Sequence, residues 1–203
     1  MTLGGETGKG VLREALRNND WYKKKIEDLN EEQVANFAVI VLLQKSTIFV
    51  AGRGRSGLVA RCFAMRLAQL GYKARYLAEE TAPPIRKDNL FIIVSGSGTN
   101  LVNEAKIAKE ELGAKILVIT SREDSPLAKL ADAFLILPGR EEEEDQGVTY
   151  DERVIKGLAV IPLGTGFEGL TLSIFDGLTG YIAAEKHLSE KDMQARHAKP
   201  LIS

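Results

Sequence analysis

Short apolar runs that alternate with stretches of helical periodicity through residues 47–137 predict an α/β fold: a five-stranded parallel sheet with helices on both faces. Two observations reinforce this. The runs are rich in β-branched residues and too short for buried helices, as strands covered on both faces are. Two of them also end in Gly/Ser loops that open helices, Gly52-Arg53-Gly54-Arg55-Ser56-Gly57 and Ser95-Gly96-Ser97-Gly98-Thr99-Asn100. A strand that ends in such a loop before a helix is a backbone cradle for phosphate.

The N-terminal part reads as helix, because Val11, Leu12, Ala15 and Leu16 recur at i, i+3, i+4 spacing. A second helix is predicted over 31–44, with Val34, Phe37, Ala38, Val41 and Leu42 on one stripe and Asn30 as N-cap. The period then changes. Residues 47–51 form the first strand, and 57–70 return to helical spacing through Val59, Phe63, Leu67 and Leu70 until Gly71 stops them. Strands follow at 73–77 and 90–94, a helix at 101–112 closed by Gly113, and a strand at 115–120. Ser125-Pro126 joins an N-cap to a proline at the first helical position, so a short helix runs to Leu130 before the fifth strand, 133–137. Residues 138–161 hold the acidic run Glu141-Glu142-Glu143-Glu144-Asp145 and read as a surface excursion pointing into solvent. A long apolar helix is predicted over 165–187, and Ser189-Glu190-Lys191-Asp192 resembles a capping box that starts a last short helix.

Composition narrows the partners. With 203 residues and 44% hydrophobic content the chain supports one well-buried core. Lys and Arg number 27 against 28 Asp and Glu, so no basic excess points to nucleic acid or to an anionic membrane. The single cysteine, Cys62, excludes an internal disulfide framework, and no apolar stretch reaches membrane-spanning length; a cytoplasmic protein is expected.

In the second loop Ser95 and Ser97 offer hydroxyl donors, while Gly96 and Gly98 let backbone amides approach a dianion. The helix that follows adds its positive N-terminal end. Thr99 and Asn100 complete the loop. No lysine follows the glycines, so the loop is not a nucleotide-triphosphate motif. A plain strand-to-helix turn of small residues is the alternative. In the first loop, Arg55 and Ser56 can reach the polar part of a sugar phosphate, although Arg53 and Arg55 read equally well as solvated arginines. The first loop reads as a weak dinucleotide fingerprint lacking the Gly-x-Gly-x-x-Gly spacing, Glu79 and Glu80 fall beyond the second strand, out of position for a ribose, and no nicotinamide cofactor is expected.

Gly54-Arg55-Ser56-Gly57 followed by Cys62-Phe63-Ala64-Met65-Arg66-Leu67, then Glu80-Thr81 with Pro83, then Ser95-Gly96-Ser97-Gly98, resembles the sugar isomerase (SIS) domain. Pro162-Leu163-Gly164-Thr165 with Phe167-Glu168, and the tail Glu190-Lys191-Asp192 with Ala195-Arg196-His197, look like its 6-phospho-3-hexuloisomerase branch. The resemblance spans about Asp20 to His197. It implies one domain over 1–203, with a flavodoxin-like doubly wound sheet. Helices near 8–45, and a C-terminal helix plus tail near 165–203, would pack on that sheet or on neighbouring subunits.

The same resemblance implies a reversible isomerisation of D-arabino-3-hexulose 6-phosphate and D-fructose 6-phosphate through a cis-enediol, without metal or cofactor. It makes Glu168 the base, His197 a proton shuttle that a neighbouring subunit can supply, and residues 95–100 with Arg55 and Ser56 the substrate-binding set. Read without it, Glu168 is a helix-start glutamate held by the dipole, and His197 a surface histidine in a frayed tail. The family's loop usually carries Thr where this chain has Asn100. A homotetramer and a pathway partner, 3-hexulose-6-phosphate synthase, are further implications. The competing readings are another aldose–ketose phosphate isomerase and a non-catalytic sugar-phosphate sensor.

Overall fold

Every predicted strand forms, and two of the three interior ones are buried along their whole length, β1 (Ile48–Gly52) and β3 (Leu90–Val94). The computed structural model describes residues 3–139 and 165–197. The acidic run at 141–145 and the Pro162-Leu163-Gly164 part of the C-terminal motif lie outside the described residues. In chain order the described elements are α1 (Leu3–Glu27), α2 (Glu31–Leu42), β1, α3 (Gly54–Gln69), β2 (Ala74–Tyr76) and β3. Then come α4 (Val102–Lys106), which widens into a π-helical turn over Ile107–Glu111, β4 (Lys115–Thr120), α5 (Pro126–Leu130) and β5 (Ala133–Ile136). The helices α6 (Thr165–Glu185) and α7 (Glu190–Ala195) follow.

All strand pairs are parallel, in the order β2-β1-β3-β4-β5. The chain winds outward from β1 to β2 and then returns to the other side of β1 as β3. The order therefore reverses between β1 and β3, where open α/β sheets bind ligands beyond their carboxyl ends. Register places Gly52 beside Val94 and Val94 beside Ile119, so the Gly/Ser loops leave neighbouring strand ends.

Alternation along each strand feeds two core layers. Ile48, Val50 and Ile92 meet Phe37, Phe63, Leu67 and Phe175 from α2, α3 and α6. Phe49, Phe91, Ile93 and Val118 meet Ala105, Ala108 and Leu127 on the other face. Phe63 and Phe175 stack at 3.9 Å between centroids, joining α3 to α6. Burial of each such ring is worth about 2–3 kcal/mol.

Caps form where side chains predict them. Asn30 accepts from Gln33 N at 3.0 Å, Ser125 accepts from Ala128 N behind Pro126, and Ser189 with Asp192 makes a full capping box. Elsewhere the boundaries move. Helix α3 starts at Gly54 instead of residue 57, so Arg55 and Ser56 lie in its first turn; glycine and serine are weak helix formers and hide that turn in the sequence. The helix expected from 101 starts at Val102, because Leu101 is left-handed at φ 67°. The stripe of Val11, Leu12 and Leu16 on α1 is exposed in the chain.

Candidate functional site

The second loop is braced from behind. Gly96 O accepts from Ser121 Oγ at 2.7 Å, from Ser121 N at 3.1 Å and from Thr120 Oγ1 at 3.2 Å. Gly98 N donates to Ser95 O, and Gly98 O accepts from Leu127 N at 3.1 Å, which ties the loop to α5. Gly98 sits at φ +64°, and a Cβ there would overlap the Ser125 side chain. These bonds hold the loop through its carbonyls. Among the described residues no backbone acceptor takes the amides of Ser97, Thr99 or Asn100. Ser97 and Thr99 share a 2.8 Å hydroxyl contact at the loop's outer edge, and Asn100 is exposed beside them. Ser95 Oγ is buried and lacks a hydrogen-bond partner among the described residues. Amides and hydroxyls gathered at one strand end suit a phosphate dianion.

The first loop faces the start of α6. Ser56 Oγ donates to Glu168 Oε1 at 3.2 Å, and Arg55 Nε stands 3.5 Å from Glu168 Oε2. The Glu168 side chain is only 12% exposed, against 60% for Arg55. Oε2 is buried and, its ion pair with Arg55 aside, lacks a hydrogen-bond partner among the described residues. Burial pushes the Glu168 carboxyl above its ordinary range; the Arg55 guanidinium, the Ser56 hydroxyl and the backbone amide of Glu168 pull the other way without cancelling it. A half-desolvated carboxylate with one unsatisfied oxygen is equipped to take up a proton.

The supports come from the sheet. Tyr76 Oη donates to Gly52 O at 3.0 Å and lies against Gly57, which fixes the turn between β1 and α3. Arg53 pairs with Glu104 at 3.4 Å, linking the first loop to α4. Gly139, just past β5, lies against Phe167, so the start of α6 rests on the sheet's carboxyl edge. The glycines at 52, 54 and 57 do stand at Gly-x-Gly-x-x-Gly spacing. What separates the loop from a dinucleotide fingerprint is the missing acidic partner, since β2 ends at Tyr76 and Glu79 and Glu80 lie beyond it.

Of the residues expected to act together, the chain itself brings Arg55, Ser56 and Glu168 into contact and sets the loop of Ser95 to Asn100 at the adjoining strand end. His197 is elsewhere: α7 packs on the C-terminal half of α3, where Arg196 donates to Gln69 O at 3.3 Å. There His197 lines a groove with Arg61, Arg75, Tyr76 and Glu79 that includes neither Ser95 nor Glu168. Sequence reasoning missed Thr120 and Ser121, although a Thr-Ser pair at the end of the strand beside β3 was the available signal. It also missed Tyr22 of α1, which reaches Thr165 O at the start of α6. Among the described residues, no group of three or more His, Cys, Asp or Glu side chains could hold a metal ion, and no helix is long and apolar enough to cross a membrane.

The sequence profile of the SIS domain matches residues 41–152. A curated relative from Methylomonas aminofaciens, named 3-hexulose-6-phosphate isomerase, is 38% identical over 152 residues, 74% of this chain and 78% of its own. One of the same name from Methanocaldococcus jannaschii is 30% identical over 193 residues, 94% of this chain and 92% of its own. The solved structure of a Methanococcus jannaschii protein, reported as inferring a 3-hexulose-6-phosphate isomerase function, superposes with a TM-score of 0.70 at 27% identity, covering 97% of this chain and 99% of that one.

Proposed function

We propose that this chain, which belongs to the SIS domain family and is a sugar-phosphate isomerase, interconverts D-arabino-3-hexulose 6-phosphate and D-fructose 6-phosphate with Glu168 as the base. The observation that carries the reading is the Glu168 carboxylate itself. It is half-buried, with Oε2 out of solvent and Oε1 held by Ser56, and it stands at the sheet's carboxyl edge, where a phosphate-type loop opens from the neighbouring strand.

The chemistry is a proton transfer between adjacent carbons. The substrate's phosphate seats on the amides and hydroxyls of residues 95–100. Glu168 removes the proton from C2 of the 3-keto sugar, which leaves a cis-enediolate with its charge on O3; the C2 hydroxyl proton passes to O3. The Glu168 carboxylic acid then returns its proton to C3 as the C2–O⁻ becomes the new carbonyl. Arg55, beside the carboxylate, offsets the negative charge that develops on the enediol oxygens. The 3-keto sugar cannot close a stable ring, since O6 is esterified and O5 would give a four-membered one. Fructose 6-phosphate closes through O5 and must open first, a step for which His197 is the proton shuttle.

Because His197 lies on the α7 side of α3, its role calls for a neighbouring copy of the chain. An apolar groove of about 700 Å³ between α1, α2 and α6, lined by Ile26, Val34, Val39, Ile174 and Tyr181, supports the assembly expected of a homotetramer. A cytoplasmic enzyme fed by 3-hexulose-6-phosphate synthase completes the reading.

The test is incubation with fructose 6-phosphate, followed by carbon NMR for the 3-keto isomer, with arabinose 5-phosphate as the competing substrate and Glu168→Gln as the control. Appearance of the 3-keto sugar with wild type alone is expected. Turnover of arabinose 5-phosphate instead would move the assignment to another aldose–ketose isomerase, and binding without turnover of either would make the chain a sensor.

A further inference from the structure

Helix α1 reaches the site through one aromatic pair. Trp21 and Tyr22 meet edge to face at 5.7 Å, and both lie on the first turn of α6. Gly166 receives Trp21, whose Cη2 would stand 3.2 Å from an added Cβ. Gly169 receives Tyr22, and an added Cβ would overlap its hydroxyl and Cζ. The Tyr22 hydroxyl donates to Thr165 O at 3.2 Å. Thr165 and Gly169 are four residues apart and share a helix face, and Glu168 adjoins that face. The two glycines in this turn therefore admit the aromatic pair, Gly166 the tryptophan and Gly169 the tyrosine, and the tyrosine bonds the turn at Thr165 O.

We infer that Tyr22 is a positioning residue for Glu168, holding the first turn of α6 at the rotation that aims the carboxylate at Ser56 and Arg55 and keeping water off its α1 side; this rests on the reading of Glu168 as the base. The geometry leaves little play. Each helical residue turns about 100°, so a small rotation of this turn carries Glu168 off Ser56 Oγ and Arg55 Nε. The groups acting on Glu168 are its own backbone amide, Ser56 and the charged Arg55 from α3, and Arg55 and Glu168 in turn act on the titratable Tyr22 from α1. Burial raises the Tyr22 phenol, Arg55 lowers it and Glu168 raises it further, so the hydroxyl shares one field with both.

Three variants test this through kcat, KM and the pH profile of kcat/KM. Tyr22→Phe keeps the ring and loses the bond to Thr165; kcat should fall about tenfold with KM within about twofold. Tyr22→Leu opens the α1 side to water, and the acid limb should move to lower pH as Glu168 is hydrated. Gly169→Ala should lose activity in the wild-type background and recover part of it in Tyr22→Leu, where the ring no longer occupies the space. Wild-type kcat and an unmoved acid limb in both Tyr22 variants, or strictly additive losses in the Gly169 pair, would overturn the inference. Glu168→Gln run alongside separates the failures. Turnover surviving that change sinks the base and Tyr22's role together. An inactive Glu168→Gln beside unaffected Tyr22 variants sinks the role of Tyr22 alone.

Discussion

Ser56 Oγ donates a hydrogen bond to Glu168 Oε1 across 3.2 Å, joining the first turns of two helices that are 112 residues apart in sequence. The bond stabilises the carboxylate form and opposes the effect of burial. Ser56→Ala removes that opposition, so the carboxyl moves further up. The acid limb of kcat/KM should shift to higher pH, with an activity loss of about three- to tenfold at mildly acidic pH that shrinks toward alkaline pH. A pH–rate profile of the two proteins checks this, and a limb that moves to lower pH would contradict it.

Stability should follow the same carboxylate. Glu168 has a raised folded-state pKa, so the folded protein holds its proton more tightly than the unfolded chain. That contribution is complete below the ordinary carboxylate pKa and is lost as pH rises through the raised value. Glu168→Gln removes a charge that burial penalises at neutral pH. Thermal melts should therefore place the variant above wild type at pH 7, with the gap closing as pH falls toward 4.

The proposed phosphate loop should separate binding from folding. Ser95 Oγ is buried without a partner among the described residues, so Ser95→Ala should leave the melting temperature unchanged or slightly raised. The KM for fructose 6-phosphate should rise about tenfold or more, as a charge-assisted hydrogen bond is lost. Gly98→Ala should do both kinds of damage. It places a side chain at φ +64°, which costs about 1 kcal/mol, and drives it into Ser125, the cap of α5.

Most of this frame was legible in the sequence because it is local. The runs at 47–51 and 90–94 can be little other than buried strands, and Asn30, Ser125 and Ser189 announce their helices by chemistry that acts within three residues. The limits are equally physical. Gly54 and Ser56 are poor helix formers, so the first turn of α3 was invisible, although it carries the contact to Glu168. Leu101 adopts a left-handed backbone that its side chain does not advertise. Gly169, one of many small and apolar residues in the helix predicted over 165–187, is a seat for Tyr22. That pairing joins residues more than a hundred positions apart, and the spacing of Gly166 and Gly169 on one helix face, with the aromatic pair Trp21-Tyr22 elsewhere, was its only trace.

The placement of His197 predicts a shared site. Assayed from fructose 6-phosphate, whose ring must open, Glu168→Gln homo-oligomers should be inactive and His197→Ala ones nearly so. If each site joins one chain's Glu168 to another's His197, unfolding and refolding an equal mixture should return about a quarter of wild-type activity. A mixture no more active than its components would return His197 to the surface role its position in one chain suggests.

The most direct measurement of the central claim is proton exchange. Fructose 6-phosphate incubated with the protein in D₂O should acquire deuterium at C3, the carbon from which Glu168 takes its proton, as followed by loss of the C3 proton signal. Exchange that is rapid with wild type and absent with Glu168→Gln, while the variant still binds the sugar phosphate, is the predicted result. Exchange that continues undiminished in Glu168→Gln would mean that another group removes the proton.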